Sequence, residues 1–210
     1  VVSGMGWTSL YEKLGCDVVS GGQSMNPSVQ ELQAGMENGQ YDKYIILPNN
    51  KNIILAAQQL KKMVGEKVHI VPSTNPMEGL AAAMAFSADS TIEENLETMT
   101  ERMKDITCGM ITTAVRDSVV GASTIHKDDF MGLVKNHEVI SVPDFQDCFH
   151  QVLDLLITED TEIVTVYYGK DLTEENCQKA IAAVEETYPD ITFEMYDGGQ
   201  PLYPMFISAE

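Results

Sequence analysis

The 210 residues carry 13 Lys and Arg against 32 Asp and Glu, a formal charge of −19, with 44% hydrophobic and 21% charged residues. That balance is globular rather than disordered, and the length fits one large domain or two small ones. So acidic a surface repels phosphate backbones and anionic headgroups, which argues against nucleic-acid and membrane-surface binding. Cys16, Cys108, Cys148 and Cys177 lie far apart, with no Cys-x-x-Cys and no His at ligand spacing. Neither a zinc site nor a disulfide framework is suggested, and isolated thiols suit a reducing cytoplasm. No apolar run reaches the ~18 residues of a membrane span, and no signal peptide is visible. The chain opens Val1-Val2-Ser3 without an initiator Met, as if entering a strand already under way, which suggests a piece of a longer protein.

Residues 1–105 alternate short apolar runs with helical stretches, the pattern of a parallel-sheet, Rossmann-like α/β domain. Val1-Val2 leads through Gly4-Met5-Gly6 into a helix over Trp7–Leu14, followed by Val18-Val19. Ser28-Val29-Gln30-Glu31 fits a capping box that starts a helix to about Glu37. Tyr44–Leu47 reads as a buried strand. Asn52–Val64 reads as a helix with Ile53, Leu55, Ala56, Leu60 and Val64 facing inward. Val68–Val71 is the next strand, Met77–Ala88 a buried helix rich in Ala and Met, and Ser90-Thr91 opens a helix ending near Asp105.

Residues 106–210 read as an α+β domain with a hairpin and a mixed sheet. Met110–Val115 predicts a strand, and Phe130–Val134, Lys135–Glu138 and Val139–Val142 predict a hairpin with a polar turn. A helix over 144–157 follows. Ile163–Tyr168, β-branched and aromatic throughout, is the strongest strand in the chain. Thr173 opens a helix to about Tyr188, and Ile191–Tyr196 and Leu202–Ser208 end the chain as strands.

In an open parallel sheet, ligands bind beyond the carboxyl ends of the strands. Three loops there are rich in Asn, Ser and Thr and stiffened by Pro. They offer Gln23, Ser24, Asn26 and Ser28 in the first, Asn49, Asn50 and Asn52 in the second, and Ser73, Thr74 and Asn75 in the third. Each precedes a helix N-terminus with unpaired N–H donors, so together they suit a carboxylate, phosphate or carbonyl, although caps and turns use the same residues. Gly198-Gly199-Gln200-Pro201 echoes Gly21-Gly22-Gln23 and adds Gly199 and Gln200 to the candidates. Gly4-x-Gly6 lacks the third glycine of a dinucleotide fingerprint, position 9 being Ser9, and no P-loop is present. His69 reads as a hydrogen-bonded core residue, and His126, His137 and His150 assemble into no catalytic set. The twelve Met residues read as core filler, or as the lining of a pocket for a flexible acyl chain.

Four separated motifs resemble the C-terminal region of the bacterial fatty acid kinase ATP-binding subunit, in a dihydroxyacetone kinase-related family. They are Gly21–Ser28, Leu47–Ile53, Ala114-Val115-Arg116-Asp117 and Gly198–Pro204, and the likeness runs across essentially all 210 residues. A more distant resemblance is to the two-domain DegV fold of fatty-acid-binding proteins. The chemistry departs from that fold: Pro48–Asn52 stands where the DegV proteins carry a serine-rich loop, and Gly198–Pro201 stands near their His-containing motif. None of the four His residues matches the His through which dihydroxyacetone kinases bind substrate.

The resemblance implies a non-catalytic C-terminal module of a kinase acting in phospholipid metabolism. Such a module docks or regulates the DegV-type carrier protein for acyl phosphate formation. ATP and magnesium are expected only on a nucleotide-binding domain further towards the N-terminus, with no cofactor in this region. The alternatives are a DegV-type fatty acid or small-ligand domain, in which a fatty acid or acyl phosphate is held, and a dihydroxyacetone kinase-like substrate-binding domain. A homodimer stays open.

Overall fold

The computed structural model describes residues 1–22, 24–37 and 41–210, which fall into two units, Val1–Ile106 and Thr107–Glu210. In the first unit, β1 (Tyr44–Ile46) and β2 (Val68–Ile70) pair in parallel with Ile45 opposite His69. Two further segments run alongside without forming full strands. The Val1 amine donates to Leu47 O at 2.7 Å, and Val2 bridges Ser20 in parallel. Val1-Val2 and Val18-Val19, expected as strands, contribute these contacts, and Gly4 at φ 110° then turns the chain into the helix that begins at Met5.

Around this edge stand α1 (Met5–Lys13), α2 (Val29–Glu37), α3 (Lys51–Val64), α4 (Pro76–Met84) and α5 (Ile92–Arg102). Leu32, Met36, Ile53, Ala57, Leu60 and Val68 form the buried cluster that holds α2 and α3 to the sheet. Leu55, expected inside, is 65% exposed. At 100° per residue it sits about 200° round the helix from Ile53, whereas Ala57 and Leu60 return to Ile53's face. The Ala- and Met-rich helix is buried along Pro76–Ala83 as its composition implies, but it stops at Met84 rather than Ala88. The Thr91–Glu94 capping box opens α5, which ends at Arg102. His69 is buried, yet among the described residues its Nε2 has no hydrogen-bond partner. Its opposite residue on β1 is Ile45, which offers no polar side chain.

The second unit is built on β3 (Thr107–Thr113), β6 (Phe130–Val134), β7 (Ile140–Val142), β8 (Ile163–Tyr168), β9 (Thr192–Asp197) and β10 (Met205–Ala209). These strands form one mixed sheet in the order β7-β6-β3-β10-β8-β9. The expected hairpin is present, with Phe130 opposite Val142 and Gly132 opposite Ile140. The sole parallel pair in this sheet is β8 and β9, joined through α7 (Glu174–Glu185). Together with α6 (Phe145–Leu156), α7 packs Phe149, Val152, Leu153, Leu156, Cys177 and Ile181 against Ile111, Val164, Val166, Met205 and Ile207. α6 lies close over the sheet because of Gly109, where a Cβ would stand 2.6 Å from Val152. A short ribbon of β4 (Ser118–Val120) and β5 (Ser123–Ile125), turning at Gly121 with φ 60°, was not expected from sequence. The last strand begins at Met205 rather than Leu202, since Leu202 is left-handed (φ 68°), follows Pro201, and is separated from the strand by Pro204.

Candidate functional site

The three amide-rich loops meet at the carboxyl edge of the first unit's strands. In the second loop, Asn49 adopts φ 58°, a left-handed geometry that Asn tolerates better than most side chains. That turn buries its side chain, and every polar atom of it finds a partner. Nδ2 donates to Val1 O at 2.9 Å and to Tyr11 Oη at 3.0 Å, and Oδ1 accepts from Ser73 Oγ at 2.7 Å. Ser73 Oγ also accepts from the Asn49 amide at 3.1 Å, which ties the second loop to the third. Tyr11 Oη donates its own proton to Pro76 O at 2.7 Å.

The neighbouring candidates serve helix ends. Asn50 caps α3, its Oδ1 accepting from the Asn52 amide at 2.9 Å while its Nδ2 reaches Met25 O in the first loop at 3.3 Å. Asn75 caps α4 through the Glu78 amide at 2.8 Å. Thr74 donates from both its amide (2.6 Å) and its hydroxyl (2.8 Å) to the buried Glu78 carboxylate, so the start of α4 already holds a carboxylate of the protein's own. Ser28 treats Glu31 in the same way, with amide and hydroxyl both at 2.7 Å. Hydrogen bonds from the Ser28 amide and then its hydroxyl hold the Glu31 carboxyl below its ordinary range.

Ser24, Asn26 and Asn52 are exposed, and among the described residues their side chains make no hydrogen bond. Gln23 lies outside the described residues. Gly199 and Gln200 belong to the second unit and build an internal corner there. Gln200 is fully buried, and its Nε2 donates to Tyr167 O at 3.0 Å and Tyr203 O at 3.2 Å. Gly199 at φ 63° turns the chain so that its amide reaches Tyr168 O. Of the twelve candidates, the structure thus links Asn49 with Ser73 directly, and Asn50 with the first loop through Met25. Composition did not single out Ser3, Tyr11, Glu78 or Gly79. Gly79 is required because a Cβ there would overlap Asn49 Oδ1 and lie 2.5 Å from Tyr11 Oη.

Outside the loops, His150 pairs with Asp154 at 3.3 Å, and Tyr188 donates to the same carboxylate at 2.6 Å, on helical surface. Burial pushes the Cys148 and Cys177 thiols up to about 12. Among the described residues, no group of three or more His, Cys, Asp or Glu is placed to hold a metal ion, and no helix is long and apolar enough to cross a membrane.

The profile of the FakA-like C-terminal family of fatty acid kinases matches residues 1–210. An uncharacterized protein of Staphylococcus aureus (strain USA300) is 35% identical over 208 residues, which cover 99% of this chain and 38% of that protein. The chain therefore spans well under half the length of the curated relatives it matches. A DegV lipid-binding protein from Thermotoga maritima superposes with a TM-score of 0.58 at 16% identity, over 88% of this chain and 76% of that one. The Streptococcus pneumoniae fatty acid kinase B3 protein, loaded with linoleic acid, superposes with a TM-score of 0.53 at 11% identity, again over 88% and 76%. At these identities the likeness establishes a shared α/β fold of the DegV type.

Proposed function

The chain belongs to the FakA-like C-terminal family of fatty acid kinases, and on that premise we propose that it is a non-catalytic recognition module of a longer kinase protein. In this reading it docks the DegV-type protein that carries the acyl chain. ATP and magnesium sit on the remainder of the longer protein, where phosphoryl transfer to the acyl group takes place. The observation that carries the reading is how the loop groups are used. Asn49, Ser73, Thr74, Asn75, Asn50 and Ser28 bond one another, the backbone or helix ends, which leaves a rigid edge rather than an open set of ligand donors. The charge of −19 favours a partner face rich in Lys and Arg.

The test compares the full-length protein with a version lacking these 210 residues. ATP binding is expected to persist while engagement of the carrier weakens. Fatty acid kinase activity from the 210 residues alone would overturn the reading.

A second reading, an acyl-ligand domain, is favoured by the unspent side chains of Ser24, Asn26 and Asn52. Native mass spectrometry after mild purification separates the two, since a co-purifying fatty acid or acyl phosphate supports the second. Ser24→Ala and Asn26→Ala are the suitable variants for it, because Asn50→Ala also removes the cap of α3.

A further inference from the structure

We propose that the outer face of α3, with the amino edge of the strands beside it, is a docking surface for an anionic lipid bilayer. This goes beyond the carrier-docking reading and does not depend on it. The charge of −19 is unevenly spread. Between Lys43 and Met77 stand five Lys against the single acid Glu66, while the rest of the chain carries 8 Lys and Arg against 31 Asp and Glu. α3 runs through the middle of that basic stretch. Ile53, Ala57 and Leu60 face the core, and Lys51, Leu55, Gln58 and Lys62 follow at i, i+4, i+7 and i+11 along the outer side, all exposed. Met63, 67% exposed, flanks that stripe. The end of α3 leads through residues 65–67 to the amino ends of the two strands. Lys43 and Lys67 immediately precede β1 and β2 there, whose first residues Tyr44 and Val68 pair. Lys67 Nζ lies 5.5 Å from the centre of the Tyr44 ring, and the exposed Tyr41 packs edge-on against the same ring. Asp42 and Glu66 also border that edge, where Lys43, Lys61, Lys62 and Lys67 outnumber them.

Elsewhere the protein neutralises its lysines from within. Lys104 pairs with Glu101 at 2.6 Å, Lys179 with Glu175 at 2.6 Å and Lys127 with Asp128 at 3.8 Å. Among the described residues, no ion pair or hydrogen bond involves Lys43, Lys51, Lys61 or Lys62. The complement of this face is therefore anionic and comes from outside the chain. Composition decides between an acidic protein and a bilayer. Surfaces that bind proteins are enriched in Arg and Trp and depleted in Lys, and the stretch from Lys43 to Met77 has neither Arg nor Trp. At a bilayer, Leu55 and Met63 enter the headgroup region, the lysine stems lie along apolar surface while their ammonium groups reach lipid phosphates, and Tyr41 sits at headgroup level. At 0.1 M salt the Debye length is about 10 Å, so the acidic remainder of the chain leaves this attraction in place and sets which face turns to the lipid.

The experiment is flotation of the 210-residue chain with vesicles of phosphatidylcholine alone and of an equimolar mixture with phosphatidylglycerol, at low salt. The chain is expected to float with the mixed vesicles and not with phosphatidylcholine, and added salt should release it. Lys61→Gln with Lys62→Gln should weaken binding about thirtyfold, roughly fivefold for each lysine. Lys104→Gln with Lys179→Gln changes the total charge equally and should leave binding as it is. Leu55→Gln with Met63→Gln leaves the charge alone and should weaken binding. All six side chains are exposed or half-buried, so the fold is retained. Four results overturn the proposal: no binding to the mixed vesicles, equal losses from the two lysine pairs, a Leu55→Gln, Met63→Gln protein that floats as the parent does, or capture by polyglutamate without capture by the vesicles, which would assign the face to an acidic protein.

Discussion

Asn49 and Ser73, twenty-four residues apart, hydrogen-bond each other twice, once through the Asn49 amide at 3.1 Å and once through its Oδ1 at 2.7 Å. The pair locks two crossover loops together at the buried edge of the first unit. Asn49→Ala keeps the backbone amide bond but removes the Oδ1 bond together with those to Tyr11 and Val1, and places Ala at φ 58°. It should cost about 2–4 kcal/mol in urea unfolding, more than Ser73→Ala at about 1–3 kcal/mol. Equal small losses would mean that the network does not hold the loops.

Gly79→Ala tests the same network from the helix side. Within a helix, Gly→Ala ordinarily stabilises by about 1 kcal/mol. Here the methyl would overlap Asn49 Oδ1 and crowd Tyr11, so the change should instead destabilise by about 1–3 kcal/mol. A rise in melting temperature would contradict the packing described.

Acid should loosen α2 and α5 before the rest of the fold. Glu31 and Glu94 are held below their ordinary 4.5 by hydrogen bonds from Ser28 and Thr91. A carboxyl depressed in the native state contributes stability above its unfolded value, and that contribution is lost as pH falls through the lower native one. Stability should therefore fall as pH drops below about 4.5, and Glu31→Gln with Glu94→Gln should flatten that part of the profile. An unchanged acid slope in the double variant would contradict the assignment.

The thiols should divide into two classes. With burial raising them to about 12, Cys148 and Cys177 should stay unmodified by a disulfide reagent at neutral pH until the protein unfolds. The half-buried Cys108 should be the one to react in the native state, with Cys16 slower because burial raises its thiol as well. Native labelling of all four would argue that the α6–α7 core opens.

Strong local signals in the sequence carried into the structure. Ile163–Tyr168 is a strand because β-branched and aromatic residues fill all six positions, and the Ser28–Glu31 box caps a helix because both partners lie within one turn. β4 and β5 carry no signal in the sequence because each is three residues long and Val119 and Val120 are both exposed, which leaves no alternation to read. Leu55 lies outside the core because apolarity alone does not fix the buried arc of a helix.

The loops were legible as Asn- and Ser-rich turns at strand ends. Which of their side chains are occupied depends on distant residues such as Tyr11 and Val1, which no local pattern connects to Asn49. Ser3 was invisible for the opposite reason. A single Ser after two valines is unremarkable until its hydroxyl is found buried with no partner among the described residues.

The central claim, recognition of the acyl carrier without catalysis, is tested most directly by calorimetric titration of this chain with a DegV-type fatty-acid-binding protein across a range of salt concentrations. The expected result is a saturable complex that weakens steadily as ionic strength rises, as a surface of charge −19 requires of a basic partner. Two well-folded proteins that show no association even at low salt would contradict it.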